Sequence, residues 1–239
     1  ADTVGRHGIH VEEDVVGNST INIGRNNIGR AGADVDNGIH FGGVVNGSHV
    51  NIFSNNHGIH ADGHGIYFGG NLVDADIDIN DNIINADDDD SGNGDGIRFD
   101  GQVSGSTTVN IGDGVGSNLN SGSSNIISGE DGIHFAQDVF NTAEIVIDGN
   151  RIGYDGLNVG GTVNPDRVGD DGIEFADWVY DASNVTITDN WILSEDEGVV
   201  FNDVYGTGKI LIGGDVEAPD GNHIDADGDG IQFSQGVHG

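Results

Sequence analysis

The sequence predicts an all-β chain folded as a right-handed parallel β-helix, a solenoid of about seven three-strand coils. Three observations lead to this prediction: a Gly-Ile-x-Phe type segment recurs eight times, two further apolar segments follow it at similar distances, and Gly, Asn and Asp separate them. Copies of the first segment begin 26 to 40 residues apart. Short strands at such a repeat distance are typical of a solenoid with one coil per repeat.

The recurring segment, here called the anchor, is predicted to be the first strand of each coil. Apolar and polar residues alternate along it, and a period of two indicates a strand with one buried face. Seven of the nine phenylalanines fall at the same anchor position, so we expect their rings to stack inside the solenoid. The eight anchors begin at Gly8, Gly38, Gly65, Gly96, Gly132, Gly172, Gly198 and Gly230.

Further apolar positions follow the anchor. One lies six residues after the anchor isoleucine, at Val15, Val45, Leu72, Val103, Val139, Val179 and Val237. A second strand is predicted at Ile21–Ile23, Val50–Ile52, Ile77–Ile79, Val109–Ile111, Ile145–Ile147, Val185–Ile187 and Ile210–Ile212. A third strand has the pattern Asn-x-Ile and begins at Asn26, Asn82, Asn125, Asn150, Asn190 and Asn222. We interpret these asparagines as a side-chain ladder of turn residues that tolerate left-handed backbone, and the anchor glycines as turn residues with positive φ.

The repeat length excludes other solenoids. It is too long and too uneven for the hexapeptide left-handed helix or the nonapeptide calcium roll, and five leucines are too few for a leucine-rich repeat. Parallel crossover connections are right-handed almost without exception, which sets the hand. Residues 1–239 are therefore expected to form one β-helix domain. Because no capping helix is recognisable, we expect it to belong to a longer array or to a filament built by end-to-end self-association.

Composition limits the possible partners. The chain has 41 acidic and seven basic residues and a net charge of −34, which opposes binding to nucleic acid and anionic lipid. No apolar run reaches the roughly 18 residues that membrane insertion needs. There is no cysteine, and the sequence begins at Ala1 rather than at methionine. We expect a secreted protein, extracellular or at the cell surface, that does not depend on disulfide bonds.

The repeat resembles the right-handed β-helix superfamily typified by pectate lyases, and among its members the bacterial surface and adhesin repeat proteins. The resemblance covers essentially the whole chain and implies the fold, but lyases, polygalacturonases, alginate epimerases, phage tailspikes and surface proteins share that fold. Gly63-His64-Gly65 and Asp170-Asp171 stand in the reverse of the polygalacturonase order. Arg98, Arg151 and Arg167 are equivalent candidates for a lyase base. We therefore assign no catalytic residue and favour a non-enzyme over an enzyme.

Acidic residues come directly before the anchor glycine in the last five coils. Stacking would place their carboxylates roughly 5 Å apart, and the repulsion favours a bound cation. Calcium, which takes oxygen ligands in irregular geometry, is the expected cofactor. The alternative is that these carboxylates cap turn amides and are screened by salt. The candidate ligands are Asp95, Glu130, Asp131, Asp170, Asp171, Asp196, Glu197, Asp225, Asp227 and Asp229, and Asp87–Asp90 form a further acidic loop.

Few aromatic residues are available to stack on sugars. Trp178 and Tyr180 flank the inward-facing Val179, so both should face outward, and they form the candidate glycan site. His10, His40 and His134 share the outward anchor position. We interpret these histidines as surface residues rather than as a transition-metal site.

Together these patterns predict a secreted structural or adhesive β-helix protein that forms filaments or surface arrays and is stabilised by calcium. The expected partners are other copies of the chain, or a glycan or cell-surface ligand. Two alternatives stay open. One is a polysaccharide lyase or epimerase-like enzyme, and the other is a glycan-binding, tailspike-like module, each acting on acidic polysaccharide.

Overall fold

The computed structural model describes residues 7–29, 35–55, 57–86, 94–112, 125–157, 163–165, 167–214 and 221–239, and it confirms the parallel β-helix. Strands of consecutive coils pair in parallel, so each main sheet runs along the solenoid axis. The described residues contain no helix. One antiparallel pair, Tyr154–Leu157 with Val163–Pro165, stands apart from these sheets.

The anchors form an eight-stranded sheet in which like residues meet. Ile97 pairs with Ile133 and Phe99 with Phe135, and this register repeats along the sheet. The strands are Ile9–Val11, Ile39–Phe41, Ile66–Phe68, Ile97–Phe99, Ile133–Phe135, Ile173–Val179, Val199–Tyr205 and Ile231–His238. Beside it lies a four-stranded sheet of Val15–Val16, Val45–Asn46, Leu72–Val73 and Val103–Ser104, which continues through single bridges at Val139 and Val179.

Two more parallel sheets complete each coil. The second sheet, at the predicted positions, contains Thr20–Gly24, His49–Phe53, Asp76–Asn80, Thr108–Ile111, Glu144–Asp148, Asn184–Thr188 and Lys209–Ile212. The third contains Ile59–His60, Ile83–Asn85, Ile126–Ser128, Arg151–Ile152, Trp191–Ser194 and His223–Ala226. Such short strands are stable because each one pairs with, and packs its side chains on, the equivalent strands of the neighbouring coils.

The anchor phenylalanines stack as predicted. Neighbouring rings from Phe41 to Phe233 have centroids 4.6 to 5.3 Å apart and interplanar angles of at most 12°. All but Phe233 are exposed by 1% or less. The spacing of parallel strands, about 4.8 Å, matches the distance at which aromatic rings stack, so the register itself creates this column. Isoleucine and valine columns surround it and make one continuous core.

The asparagine ladder is confirmed. The side-chain Nδ2 of Asn82 donates to Oδ1 of Asn125 at 3.0 Å and to the Ile52 carbonyl at 3.0 Å. Comparable bonds link the column from Asn26 to Asn222. Asn55 also belongs to the ladder. The Asn-x-Ile pattern missed it because its isoleucine, Ile59, comes four residues later rather than two.

In the turns before the third strands, the residue with left-handed backbone is the one before the ladder asparagine. Positive φ angles of 54° to 61° occur at Arg25, Ser54, Asp81 and Asp189. The interpretation that the ladder asparagines are themselves left-handed is therefore wrong. The chain turns one residue earlier so that each amide points inward, where backbone carbonyls accept its hydrogen atoms.

The anchor glycines also have a different cause from the predicted one, since none of them has a positive φ. A Cβ atom on Gly132 would lie 2.2 Å from Cγ2 of Ile152 and 2.5 Å from the carbonyl oxygen of Gly172. The anchors before Ile39, Ile66, Ile173 and Val199 show the same crowding. Glycine is required there because the third strand and the neighbouring coil approach the backbone too closely for any side chain.

Candidate functional site

The outer face of the anchor sheet carries the chemistry-bearing residues. The anchors from Ile39 to Phe175 bury their first and third side chains and turn the second outward. The outward column reads His10, His40, Tyr67, Arg98, His134, Glu174, Val200 and Gln232. Beside it lies the acidic column, formed by the residues before the anchor glycines: Asp95, Asp131, Asp171, Glu197 and Asp229. Histidines therefore occupy the N-terminal part of this face and carboxylates the C-terminal part.

The carboxylates of the acidic column cap backbone amides of the next coil. The amide of Asp131 donates to Oδ1 of Asp95 at 3.3 Å, and the amide of Asp171 donates to Oδ1 of Asp131 at 3.0 Å. The amide of Glu197 likewise donates to Oδ1 of Asp171 at 3.0 Å. Relative exposure is only 2% for Asp95, 5% for Asp131 and 8% for Asp171. Stacking along the axis is thus confirmed, and one oxygen of each of these three aspartates has a structural role.

The N-terminal half of the acidic column lies beside basic side chains of the chain. Oδ2 of Asp95 accepts from Nη1 of Arg98 at 2.7 Å, and Nε of the same arginine donates to Oδ1 of Asp100 at 2.6 Å. Oδ2 of Asp131 lies 2.7 Å from Nδ1 of His134. Asp95 and Asp131 therefore each lie beside a basic side chain, and oxygens of Asp131, Asp171 and Glu174 also lie within 4.8 Å of one another.

Electrostatic shifts in this half follow from those contacts. Burial, together with the hydrogen bond to Asp100, raises the pKa of Tyr67 to about 12. Burial lowers the pKa of Arg98, but its two aspartate partners raise it by more. Burial also lowers the pKa of His134, and the hydrogen bond with Asp131 reverses that effect so that its pKa is raised. An arginine held in this way stays charged and cannot act as a base.

The C-terminal half holds carboxylates that lack such compensation. Asp170, Asp171 and Asp196, here called the carboxylate patch, each offer an oxygen, and the three oxygens lie within 4.8 Å of one another. Burial raises the pKa of Asp171 to about 8, opposed by the amide of Glu197 and reinforced by neighbouring carboxylates. Burial and nearby carboxylates also raise the pKa of Asp170. This is the arrangement in which a divalent cation relieves repulsion.

The other predicted metal ligands lie apart from the patch or are otherwise engaged. Oδ1 of Asp225 is 2.9 Å from Nη2 of Arg167, and Oδ1 of Asp227 is 3.6 Å from Nη1 of the same arginine. Oε1 of Glu197 accepts from Gln232 at 3.0 Å.

Two further predicted ligands are not members of the carboxylate patch. Glu130 is half-buried beside Asp131, and Asp229 is exposed on the last coil. The acidic loop Asp87–Asp90 lies outside the described residues. The ten predicted ligands thus divide into groups, because Arg98, His134 and Arg167 contact some of them and not others. The repeat pattern does not predict where these three basic residues lie.

A second surface feature extends the predicted glycan site. Trp178 is 48% exposed and Tyr180 is half-buried, as expected for residues flanking an inward valine. The Phe140 ring stacks on Tyr180 at 5.2 Å, and Tyr205 stacks on His238 at 4.7 Å. These four rings, here called the aromatic column, each follow an inward valine. That position is the signal that sequence reasoning missed.

Fold and surface together define the class of protein: an acidic parallel β-helix with polar and aromatic columns on the outside of its anchor sheet. No family model, no curated protein and no solved structure matches the chain. Among the described residues there is no helix long and apolar enough to cross a bilayer. Function must therefore be argued from the site itself.

Proposed function

We propose that the chain is a module of a secreted structural or adhesive β-helix protein, one that extends by stacking coil on coil and binds calcium along its acidic side. The observation that carries this proposal is the last anchor strand. Ile231, Phe233 and Val237 are 45%, 41% and 64% exposed. The equivalent residues of the preceding coil are buried at 9% exposure or less.

The last coil has the surface that accepts another coil. Phe233 stacks on Phe201 at 5.3 Å and is 41% exposed, so a ring from a further coil would continue the column. At the opposite end, Ile9 and Val11 are only half-buried, whereas Ile39 in the following coil is fully buried. The first and last described coils both expose residues of the apolar columns, which supports a head-to-tail contact between copies, and such a contact does not close.

Calcium fits the carboxylate patch by its chemistry. The ligands are carboxylate oxygens, which this cation prefers. Burial, together with the neighbouring carboxylates, raises the pKa of Asp171 and Asp170. The chain already has a net charge of −34, so stacking further coils would bring more negative charge together along the acidic side. A cation at the patch lowers this repulsion both within a module and between modules.

Self-association is tested by sedimentation velocity and electron microscopy of the purified chain, first with calcium and then with chelator. We expect rods longer than a single module that shorten at low protein concentration. Val237→Lys places a charge on the exposed end and should abolish the rods. Val73→Lys is the matched control, because Val73 is half-buried on the third coil, away from both ends. Monodisperse single modules at high concentration in calcium would rule out the stacking proposal.

The calcium site is tested separately by calorimetric titration. Asp196→Asn removes one exposed carboxylate of the patch and should weaken calcium binding by about tenfold, roughly 1.4 kcal/mol. Asp227→Asn removes an exposed carboxylate that faces Arg167, so it should leave calcium binding unchanged. Equal binding by both variants and the unmodified chain would show that the patch does not hold the cation.

A second candidate function, glycan binding, is favoured by the aromatic column. Its rings and Trp178 follow one another along the axis, and Trp178 lies 5.7 Å from Tyr205. Exposed aromatic faces of this kind are suited to stacking on sugar rings. Trp178→Ala should abolish retention on an acidic polysaccharide in affinity electrophoresis. Trp191→Ala should not, because Trp191 is half-buried and packs on His223.

A lyase or epimerase activity has less support from the geometry. Arg98 is held between two aspartates, Arg151 is 8% exposed, and Arg167 binds the carboxylate of Asp225. Incubation with uronate polymers tests this alternative by the ultraviolet absorbance of an unsaturated product. Formation of this product by the unmodified chain and by Trp191→Ala, but not by Arg98→Lys, would support the enzyme hypothesis.

A further inference from the structure

We propose that a transition-metal ion of the zinc class binds between the first two coils and is held by the imidazoles of His7, His10 and His40. Each histidine offers a ring nitrogen, and the three nitrogens lie within 4.8 Å of one another. This site is independent of the carboxylate patch and of the structural role proposed above.

The spacing of the nitrogens fits tetrahedral coordination. Nδ1 of His40 lies 3.2 Å from Nε2 of His7. A zinc–nitrogen bond of about 2.0–2.1 Å and a tetrahedral angle place two ligand nitrogens about 3.3–3.4 Å apart. The separation between His7 and His40 is within a few tenths of an ångström of that value, and all three nitrogens lie within 4.8 Å of one another.

Strand register positions the ligands. His10 and His40 are the outward residues of consecutive anchors and are partners in the parallel ladder. Their rings stack at 4.6 Å with an interplanar angle of 9°. His7, which comes just before Gly8, lies edge-on to both rings at 4.6 and 4.4 Å. Two of the three ligands thus stand on strands, which limits the rearrangement that metal binding requires.

Hydrogen bonding leaves part of the cluster unpaired. Nε2 of His7 faces Nδ1 of His40 at 3.2 Å, whereas Nδ1 of His7 is buried and has no hydrogen-bond partner. Hydrogen bonds of the chain therefore satisfy only one nitrogen of the His7 ring.

Other histidines of the same face differ from these three. Nδ1 of His134 contacts the carboxylate of Asp131 at 2.7 Å. Nδ1 of His64 accepts the backbone amide of Asp95 at 3.0 Å. Three imidazole nitrogens this close to one another, with no carboxylate in the group, would select zinc, nickel or copper over calcium and leave a fourth position to water.

The test is titration of the tag-free chain with Zn²⁺ by calorimetry and with Co²⁺ by visible absorbance. We expect about one ion per chain at micromolar concentrations, a tetrahedral cobalt spectrum, and binding that persists in excess calcium. His10→Gln and His40→Gln should each weaken zinc binding by at least about tenfold. His57→Gln is the control, because His57 is exposed and lies outside the cluster.

Two results would overturn the site: no saturable zinc binding by the unmodified chain, or equal binding by all three variants. Circular dichroism and urea unfolding of each variant distinguish loss of a ligand from loss of the fold. Because the test uses zinc and histidine variants only, it can fail while calcium binding at the carboxylate patch holds, and the reverse is also true.

Discussion

Replacing Asp171 with asparagine changes one charge and almost no volume, so it tests the electrostatics of the acidic column directly. An asparagine Oδ1 can still accept the amide hydrogen of Glu197, which now lies 3.0 Å from the Asp171 carboxylate. The new NH₂ group would face the carboxylates of Asp131, Asp170 and Glu174, which raise the pKa of Asp171 in the native chain. We expect Asp171→Asn to stabilise the fold at neutral and alkaline pH.

The magnitude follows from the pKa. In the folded chain the pKa of Asp171 is raised from 3.8 to about 8. A raised carboxyl pKa means that the protonated form favours the fold, so the free energy of unfolding falls as pH rises between these two values. Each pKa unit is worth about 1.4 kcal/mol, which sets a ceiling of about 5–6 kcal/mol above pH 8. Salt screens the patch even without a bound cation, and we expect a gain of about 2 kcal/mol.

Urea unfolding at pH 5, 7 and 9, in chelator, measures this effect. The unmodified chain should lose stability as pH rises, and Asp171→Asn should lose less. Asp95→Asn is the matched substitution in the same column, but Asp95 is 2% exposed and pairs with Arg98 at 2.7 Å. Removing that carboxylate should cost about 2–3 kcal/mol, since it leaves a partly buried arginine charge with one partner fewer. If the two substitutions changed stability in the same direction, the division of the column into balanced and unbalanced halves would be wrong.

The remaining predictions concern the stack of coils. Phe135→Ala should lower the free energy of unfolding in urea by about 3–5 kcal/mol, because it opens a cavity in the middle of the ring stack. Gly172→Ala should cost at least about 1–3 kcal/mol in the same assay, because its Cβ would lie 2.2 Å from Cγ2 of Ile192. Asn150→Asp should cost about 3–5 kcal/mol in thermal and urea unfolding at pH 7, because it directs a buried charge at the Ile111 carbonyl that now accepts a hydrogen bond at 2.8 Å.

Each of these substitutions has a control in the chain. Val16→Ala removes an exposed side chain and should be nearly neutral beside Phe135→Ala. Gly221→Ala has no atom within 4 Å of the added Cβ and should be nearly neutral beside Gly172→Ala. Asn150→Asp should recover stability at acid pH, where the new carboxyl is protonated. If these substitutions lowered the free energy of unfolding no more than their controls do, the stacking of like residues in register would not determine the packing of the core.

The architecture was predictable because the anchor pattern recurs eight times in the sequence. A strand with one buried face needs only alternation, and eight copies of that alternation leave one arrangement in which phenylalanine meets phenylalanine. The second strands and the asparagine ladder follow for the same reason. Asn55 was missed because a longer step to Ile59 broke the local spacing, although the backbone still brought its amide under Asn82.

The origin of the anchor glycines could not be read from sequence. Positive φ and close approach both require a residue without a side chain, and only the position of Ile152 against Gly132 distinguishes them. The place of His7 beside two of the outward histidines was missed for a similar reason. His7 lies three residues before His10, outside the repeat column, and only the folded chain brings its ring against both His10 and His40.

The sequence by itself determined the fold class, the register of the coils, the acidic character of the outer face and the outward orientation of Trp178, since these depend on periodicity and composition. Tertiary structure decided which carboxylates are balanced. Asp95, Asp131 and Asp171 occupy the same repeat position, yet the first faces an arginine, the second a histidine and the third other carboxylates. The charge that each meets depends on side chains of neighbouring coils, and distance in space, rather than position in the repeat, sets that interaction.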